Sequence, residues 1–201
     1  MTKMKKLTSV LLAAVMATGL MVPAFASDLT SNDAVVPAYV IEASHQMGSI
    51  DVTLDKVYED DNCICFYKDL GSGYLNFVSE QGVAPASITT NDVAIYVSYW
   101  KLLGTFTPTL VLAADGYKIR KLYCDVITIG GDWGYGIQRA KSSQPAVPGY
   151  QIQLAVAFTG LDNTFDSGIE MATFQGPNGY FICTDGTYGT YPSINAQFEI
   201  S

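Results

Sequence analysis

The sequence is short of several residue types that particular functions require. It contains one histidine, and charged residues make up 15% of the 201 residues, below the roughly 25% usual for soluble domains. Lysine and arginine total 11 against 19 aspartates and glutamates, which gives a formal net charge of −8. Because nucleic-acid binding needs a basic surface, this balance argues against a nucleic-acid-binding protein. The single histidine excludes a histidine-rich metal site.

Long apolar runs are also scarce, and the longest lies at the N-terminus. Residues 1–26 combine three lysines, an apolar segment at 7–22, and the small residues Ala24 and Ala26, which together predict a secretory signal peptide. The apolar segment is shorter than the ~20 residues needed to cross a bilayer. Cleavage after Ala26 would remove three lysines and no acidic residue, so the formal net charge would change from −8 to −11. We therefore expect a secreted, extracellular bacterial protein with no membrane span in its mature form.

The remaining sequence is dominated by apolar and polar residues in alternation. In the segment Tyr150–Thr159 every second residue is large and apolar, which is typical of a half-buried strand. Asp92–Trp100 is apolar on both faces, as expected near the centre of a sheet. Further strands are predicted at Tyr39–Ala43, Ile50–Leu54, Cys63–Lys68, Tyr74–Ser79, Thr109–Ala113, Tyr117–Ile129, Ile169–Phe174, Tyr180–Thr184 and Ile194–Ile200.

Short turns rich in glycine, asparagine and aspartate separate these strands, and no segment after residue 26 has a clear helical period. About eleven strands joined in this way predict an all-β protein, an antiparallel β-sandwich of jelly-roll or Ig-like Greek-key type. Residues 27–201 are expected to form one such domain. The segment 140–149, rich in serine and proline, is either a long loop or a sub-domain break.

Four cysteines lie in the predicted mature chain, at Cys63, Cys65, Cys124 and Cys183. An even number in an exported chain predicts disulfides. Because Cys63 and Cys65 are separated by one residue, a bond between them would close a strained ring, so each is expected to pair with Cys124 or Cys183. Free thiols are the second interpretation. A zinc site ranks third, because structural zinc favours C-x₂₋₄-C spacing.

Acidic loops offer a weaker metal hypothesis. Asp162, Asn163 and Asp166 lie in a predicted loop and could supply some of the oxygen ligands that calcium takes. The segment does not have the EF-hand pattern. Aspartate and asparagine are also common turn residues that bond their own backbone, so calcium here is only an alternative, and no other cofactor is predicted.

Two glycine-rich segments carry aromatic residues, and they are the predicted ligand-binding site. Glycine neighbours reduce packing around a ring, so such rings can stack on a sugar or on a protein partner, while nearby polar groups bond to hydroxyls. The alternative is that the rings cover the ends of the sandwich. The predicted ligand-binding residues are Trp133, Tyr135, Tyr188, Tyr191, Asp132, Asp185 and Gln138.

Catalytic motifs are weak. A Ser–His–Asp or Cys–His device would have to use His45, the only histidine, and no GxSxG motif accompanies it. A pair of carboxylates for hydrolysis has no sequence signature. We therefore predict a secreted non-catalytic binding module for carbohydrate or an extracellular or surface protein. The alternatives are a small carboxylate-dependent hydrolase and a self-assembling extracellular protein that exchanges strands such as Asp92–Trp100 or Ile194–Ile200.

Overall fold

The computed structural model describes residues 27–28, 36–79, 82–84, 91–131, 134–161, 168–175 and 179–200. The predicted signal peptide lies outside these residues. Within them the chain has one α-helix, α1 (Ala38–Gln46), a short 3-10 helix (Lys101–Leu103), and strands β1 to β15. The strands are Ser27–Asp28, Ser49–Thr53, Asp55–Glu59, Cys63–Ser72, Asn76–Ser79, Gly82–Ala84, Asn91–Trp100, Thr105–Ala114, Ile119–Gly131, Gly134–Ser143, Gln151–Ala155, Gly168–Gln175, Tyr180–Cys183, Tyr188–Thr190 and Ser193–Ile200.

The strands form two sheets. Sheet A has the order β2-β15-β12-β9-β13-β14-β5-β6, with β10 paired to the other side of β9 and β1 paired to β10. Sheet B has the order β11-β8-β7-β4-β3. Among the strands that the structure describes, every pairing is antiparallel except the one between β15 and β2. The prediction of a largely antiparallel, sandwich-like all-β fold is therefore confirmed.

The core lies between the two sheets and is built from the alternate residues of each strand. The ring of Phe66 in sheet B contacts that of Phe198 in sheet A, with centroids 4.8 Å apart. Tyr99 and Phe106, on neighbouring strands of sheet B, stack at 4.2 Å. All four are at most 1% exposed, and burying a phenylalanine of this kind stabilises the fold by about 1.5–3 kcal/mol. Aromatic contacts across the core hold the two sheets together.

Helix α1 corrects one prediction. The strand predicted at Tyr39–Ala43 is wrong, because these residues lie within α1. The buried residues Val40, Ala43 and Ser44 are three and four positions apart, which places them on one face of a helix rather than on one face of a strand. A helix of nine residues has too few turns for its period to be distinguished in the sequence. Among the helices that the structure describes, none has the length and apolarity needed to cross a membrane.

The predicted disulfides are absent, and strand geometry explains why. All four cysteines are free thiols. Cys124 and Cys183 belong to the core between the sheets. Cys63 and Cys65 alternate along β4 with Ile64, which belongs to that core, so their side chains face the other way, on the outer side of sheet B. The long-range pairs that the sequence predicted are therefore out of reach.

Two strands cover segments that were predicted as loops. β10 spans most of one glycine-rich segment and the first residues of the suggested break at 140–149, and β14 begins at Tyr188.

The strands considered for exchange, β7 and β15, each pair with a neighbour on both sides, so neither offers an open edge. Asp162, Asn163 and Asp166 lie outside the described residues.

Close packing against a glycine gives a test of the core. A Cβ atom at Gly189 would overlap the ring of Phe181, which is completely buried. We expect Gly189→Ala to lower the free energy of unfolding by about 1–3 kcal/mol, measured by urea denaturation. Gly149→Ala is the control, because its Cβ would meet no atom closer than 3.5 Å. Equal effects of the two substitutions would contradict this packing.

Candidate functional site

An open, polar cleft lies where the C-terminal end of α1 meets sheet A. Its position follows from the packing of the helix, since Val40 lies in a cluster with Tyr123, Tyr180 and Ile182 on the outer side of the sheet. The chain leaves the helix through Gly48, whose φ of 69° is left-handed and favours glycine. It then enters β2 directly. This turn sets the end of α1 beside the starts of β2 and β15.

The cleft has a volume of about 520 Å³, within the range of ~300–1,000 Å³ usual for small-molecule sites, and seven of the described residues line it. Apart from Gly48 at the turn, every lining residue carries a hydroxyl, an amide or an imidazole. They come from α1, the following turn, β2, β12 and β15. The lining residues are Ser44, His45, Gly48, Ser49, Gln175, Ser193 and Asn195.

A polar stripe crosses the sheet from the cleft. Asn195 lies opposite Asp51 on one side and Thr173 on the other, and Thr173 lies opposite Thr128. The Asn195 Nδ2 group donates to Asp51 Oδ1 at 2.7 Å, and the hydroxyls of Thr128 and Thr173 bond to each other. The bond to Asp51 fixes the amide of Asn195 and does not use its oxygen, which can accept a hydrogen bond from a ligand.

The cleft does not contain an assembled nucleophilic device. His45 is exposed, and within the described residues its side chain makes no hydrogen bond to a serine or a carboxylate. The hydroxyl of the neighbouring Ser44 donates to the Ile41 carbonyl at 2.8 Å, so it is used within the helix. A catalytic triad needs a base bonded to both its nucleophile and an orienting acid. The arrangement therefore suits hydrogen bonding to a ligand better than acyl transfer.

The two glycine-rich segments do not come together. One lies at the hairpin between β9 and β10, where Gly131 pairs with Gly134. The other follows β13, whose Cys183 pairs with Ile119. Ile119 and Gly131 are the two ends of β9, which are separated by roughly 40 Å of extended strand. Trp133 and Asp132, with the side chain of Tyr135, lie outside what the structure describes.

The other residues of that predicted site have local structural contacts. Tyr191 is completely buried and its hydroxyl donates to the Tyr123 carbonyl at 2.6 Å, so it cannot stack on a ligand. Tyr188 is half-buried against the cluster below α1. Asp185 accepts a turn hydrogen bond from the Thr187 amide at 2.9 Å. Gln138 lies opposite the buried core residue Ile127.

Of the residues that line the cleft, only His45 was expected from the sequence to have a functional role, as the sole candidate base. The others were missed because isolated serines, asparagines and glutamines resemble ordinary solvent-facing residues. The one sequence signal for such residues is that they alternate with apolar residues along a strand. Ser193 and Asn195 occupy alternate positions of β15, opposite in direction to the core residues Ile194 and Ala196.

Comparisons with known proteins do not assign the chain to a family. No protein-family model matches the chain, and no curated protein matches it. A solved X-ray structure, described as Northeast Structural Genomics Consortium target SoR45, is similar at 14% sequence identity and a TM-score of 0.24. The similarity covers 72% of this chain and 89% of that one. A TM-score this low carries no inference about fold or function.

The contribution of the buried Tyr191 hydroxyl to stability can be tested by removing the hydroxyl. Tyr191→Phe leaves the Tyr123 carbonyl without this donor, so we expect the free energy of unfolding to fall by about 1 kcal/mol. Urea denaturation measures the change. Tyr150→Phe is the matched control, because Tyr150 is 56% exposed and its hydroxyl can be replaced in the solvent. An effect in the control as large as that of Tyr191→Phe would contradict the structural role.

Proposed function

We propose that the protein is a non-catalytic binding module whose cleft takes a neutral, hydroxyl-rich carbohydrate. The observation that carries this proposal is the composition of the lining, which consists of uncharged hydrogen-bonding residues and one glycine. Hydroxyl, amide and imidazole groups bond to sugar hydroxyls as both donors and acceptors. The formal net charge of −8 disfavours anionic ligands.

An apolar surface beside the polar stripe supports an extended ligand. Ile137 lies opposite Thr128, and Met171 lies two residues from Thr173 on the same face. Ile137, Ile169 and Met171 are 41%, 58% and 44% exposed. The carbon-bound hydrogens of a second sugar residue would contact these side chains, while its hydroxyls reach the stripe.

A second candidate is the binding of an extracellular or surface protein. The same three exposed apolar side chains favour it, because exposed apolar groups that lie together on one face are characteristic of protein interaction sites. The polar cleft favours the carbohydrate instead. Hydrolysis by paired carboxylates gains no support from the cleft, since no aspartate or glutamate is among the described residues that line it.

Two expectations from the sequence accompany this proposal. The features of residues 1–26 support secretion from a bacterium and an extracellular location. A jelly-roll or Ig-like Greek-key topology within one domain is supported by strands that are neighbours in the sheet but not consecutive in the sequence. One example is β12, which lies between β9 and β15.

Binding measurements on cleft variants test the proposed function. Neutral oligosaccharides selected on a glycan array would be titrated by calorimetry into the full chain. His45→Ala and Asn195→Ala each remove a hydrogen-bonding group, so we expect the affinity to fall about tenfold. Thermal unfolding of each variant checks that the fold is intact.

The control substitution is Gln153→Ala, an exposed amide on β11 of sheet B. It should leave the affinity unchanged. The proposal fails if no neutral oligosaccharide binds, or if the cleft variants bind as tightly as the control. Binding of a surface protein that is lost on Met171→Ser, without any carbohydrate binding, would favour the second candidate.

A further inference from the structure

Cys63 and Cys65 form a close pair of thiols on the outer side of sheet B. Their Sγ atoms are 3.7 Å apart, because alternate side chains of a strand project to the same side. The two side chains are 5% and 3% exposed. Their cross-strand neighbours are Trp100, opposite Cys63, and Tyr58 and Ser98, on either side of Cys65. Tyr58 lies on the edge strand β3 and is 41% exposed, so solvent reaches the residue next to the pair.

The strand geometry opposes a bond between the two sulfurs. Side chains two positions apart on a strand have Cβ atoms roughly 6.6 Å apart, whereas a disulfide requires a Cβ separation of about 3.5–4.5 Å. Closing the gap would bend β4, which pairs with β3 on one side and β7 on the other. In zinc sites each sulfur lies about 2.3 Å from the ion, so two sulfurs that share one ion are at most about 4.6 Å apart. The observed 3.7 Å lies within that span with no movement of the backbone. The arrangement suits chelation better than oxidation.

Two charged residues lie beside the pair. The Asp60 carboxylate accepts a hydrogen bond from the Cys63 amide at 2.7 Å, and the Lys101 ammonium donates to the Asp60 carbonyl at 2.7 Å. Both cysteines are free thiols. A monovalent ion bound by both sulfurs releases the two thiol protons, so the chelate carries one negative charge.

The number of donors selects the ion. Within the residues that the structure describes, no group of three or more histidine, cysteine, aspartate or glutamate side chains is placed to hold a metal. Zinc takes four ligands in its structural sites, and two cysteines do not meet that need. Soft thiolate donors select copper(I), which accepts low coordination numbers. We propose that Cys63 and Cys65 form a two-thiolate binding site for copper(I).

The other two cysteines provide the internal comparison. Cys124 and Cys183 lie in the core with no exposed area, and burial raises the pKa of each to about 12. They should neither bind the ion nor react. The proposal is independent of the carbohydrate site, since the cleft belongs to sheet A and the thiol pair to sheet B.

Anaerobic competition with a copper(I) chelator tests the site. Copper(I) supplied as its acetonitrile complex would be titrated into the reduced full chain in the presence of bathocuproine disulfonate. We expect one ion per chain, with an affinity at least about tenfold weaker in Cys63→Ser and in Cys65→Ser. Cys183→Ala should bind as the unaltered chain does. Unchanged binding in both serine variants, or an equal loss in Cys183→Ala, would overturn the proposal.

A measurement on the unaltered chain avoids any dependence on variant folding. Copper(I) should protect Cys63 and Cys65 from a small alkylating reagent, as read by mass spectrometry of the peptides. Modification of Cys124 and Cys183 should be slow with or without the ion. Zinc(II) in the same assay should protect much less. Equal or better protection by zinc(II), or no protection by copper(I), would show that the pair is not a copper(I) site.

Discussion

The pairing of strand β9 is the constraint on which the rest of the structure depends. This strand of thirteen residues, Ile119–Gly131, pairs with β10 along one side and with β12 and β13 in succession along the other. The two faces of β9 pack against different parts of the molecule. One face contributes Leu122 and Ile129 to the core between the sheets, and the other contributes Tyr123 to the surface on which α1 packs.

The candidate site follows from that second face. Val40 is completely buried against Tyr123 and its neighbours, so the helix is anchored at one end by apolar contact. Its other end must then lie over the starts of β2 and β15, where a left-handed Gly48 turns the chain into the sheet. The amide of Ser193 donates to the Gly48 carbonyl at 3.0 Å. His45 reaches the polar side of sheet A only because these contacts hold the helix there.

The parts of the fold that could be predicted were those with a regular period. Alternation identified the long strands and the two-sheet class, because each strand buries one face against the core. It failed at α1, where nine residues are too few to separate a helical period from a strand. It also failed at β10, whose glycines resemble a loop. The cysteines show a third limit. Their even number predicted disulfides, but Cys65 faces the outer side of sheet B whereas Cys124 lies in the core between the sheets.

The candidate site was much less predictable than the fold. Glycine neighbours suggested exposed rings, yet Tyr191 fills the core and bonds to the Tyr123 carbonyl. The cleft instead depends on tertiary contacts that no local pattern records. Ser49 and Asn195 are far apart in the sequence and meet only because β2 and β15 pair in parallel. Through such pairing, single polar residues on solvent-facing positions come to line one candidate site.

Amide chemical-shift mapping by NMR is the most direct test of the claim that the cleft is the binding site. A neutral oligosaccharide would be titrated into the isotopically labelled chain. If the cleft binds the oligosaccharide, the largest shift changes will cluster at residues 44–51, 173–175 and 193–197. Changes that instead concentrate at residues 131–138 or 184–188, with the cleft unaffected, would contradict that claim.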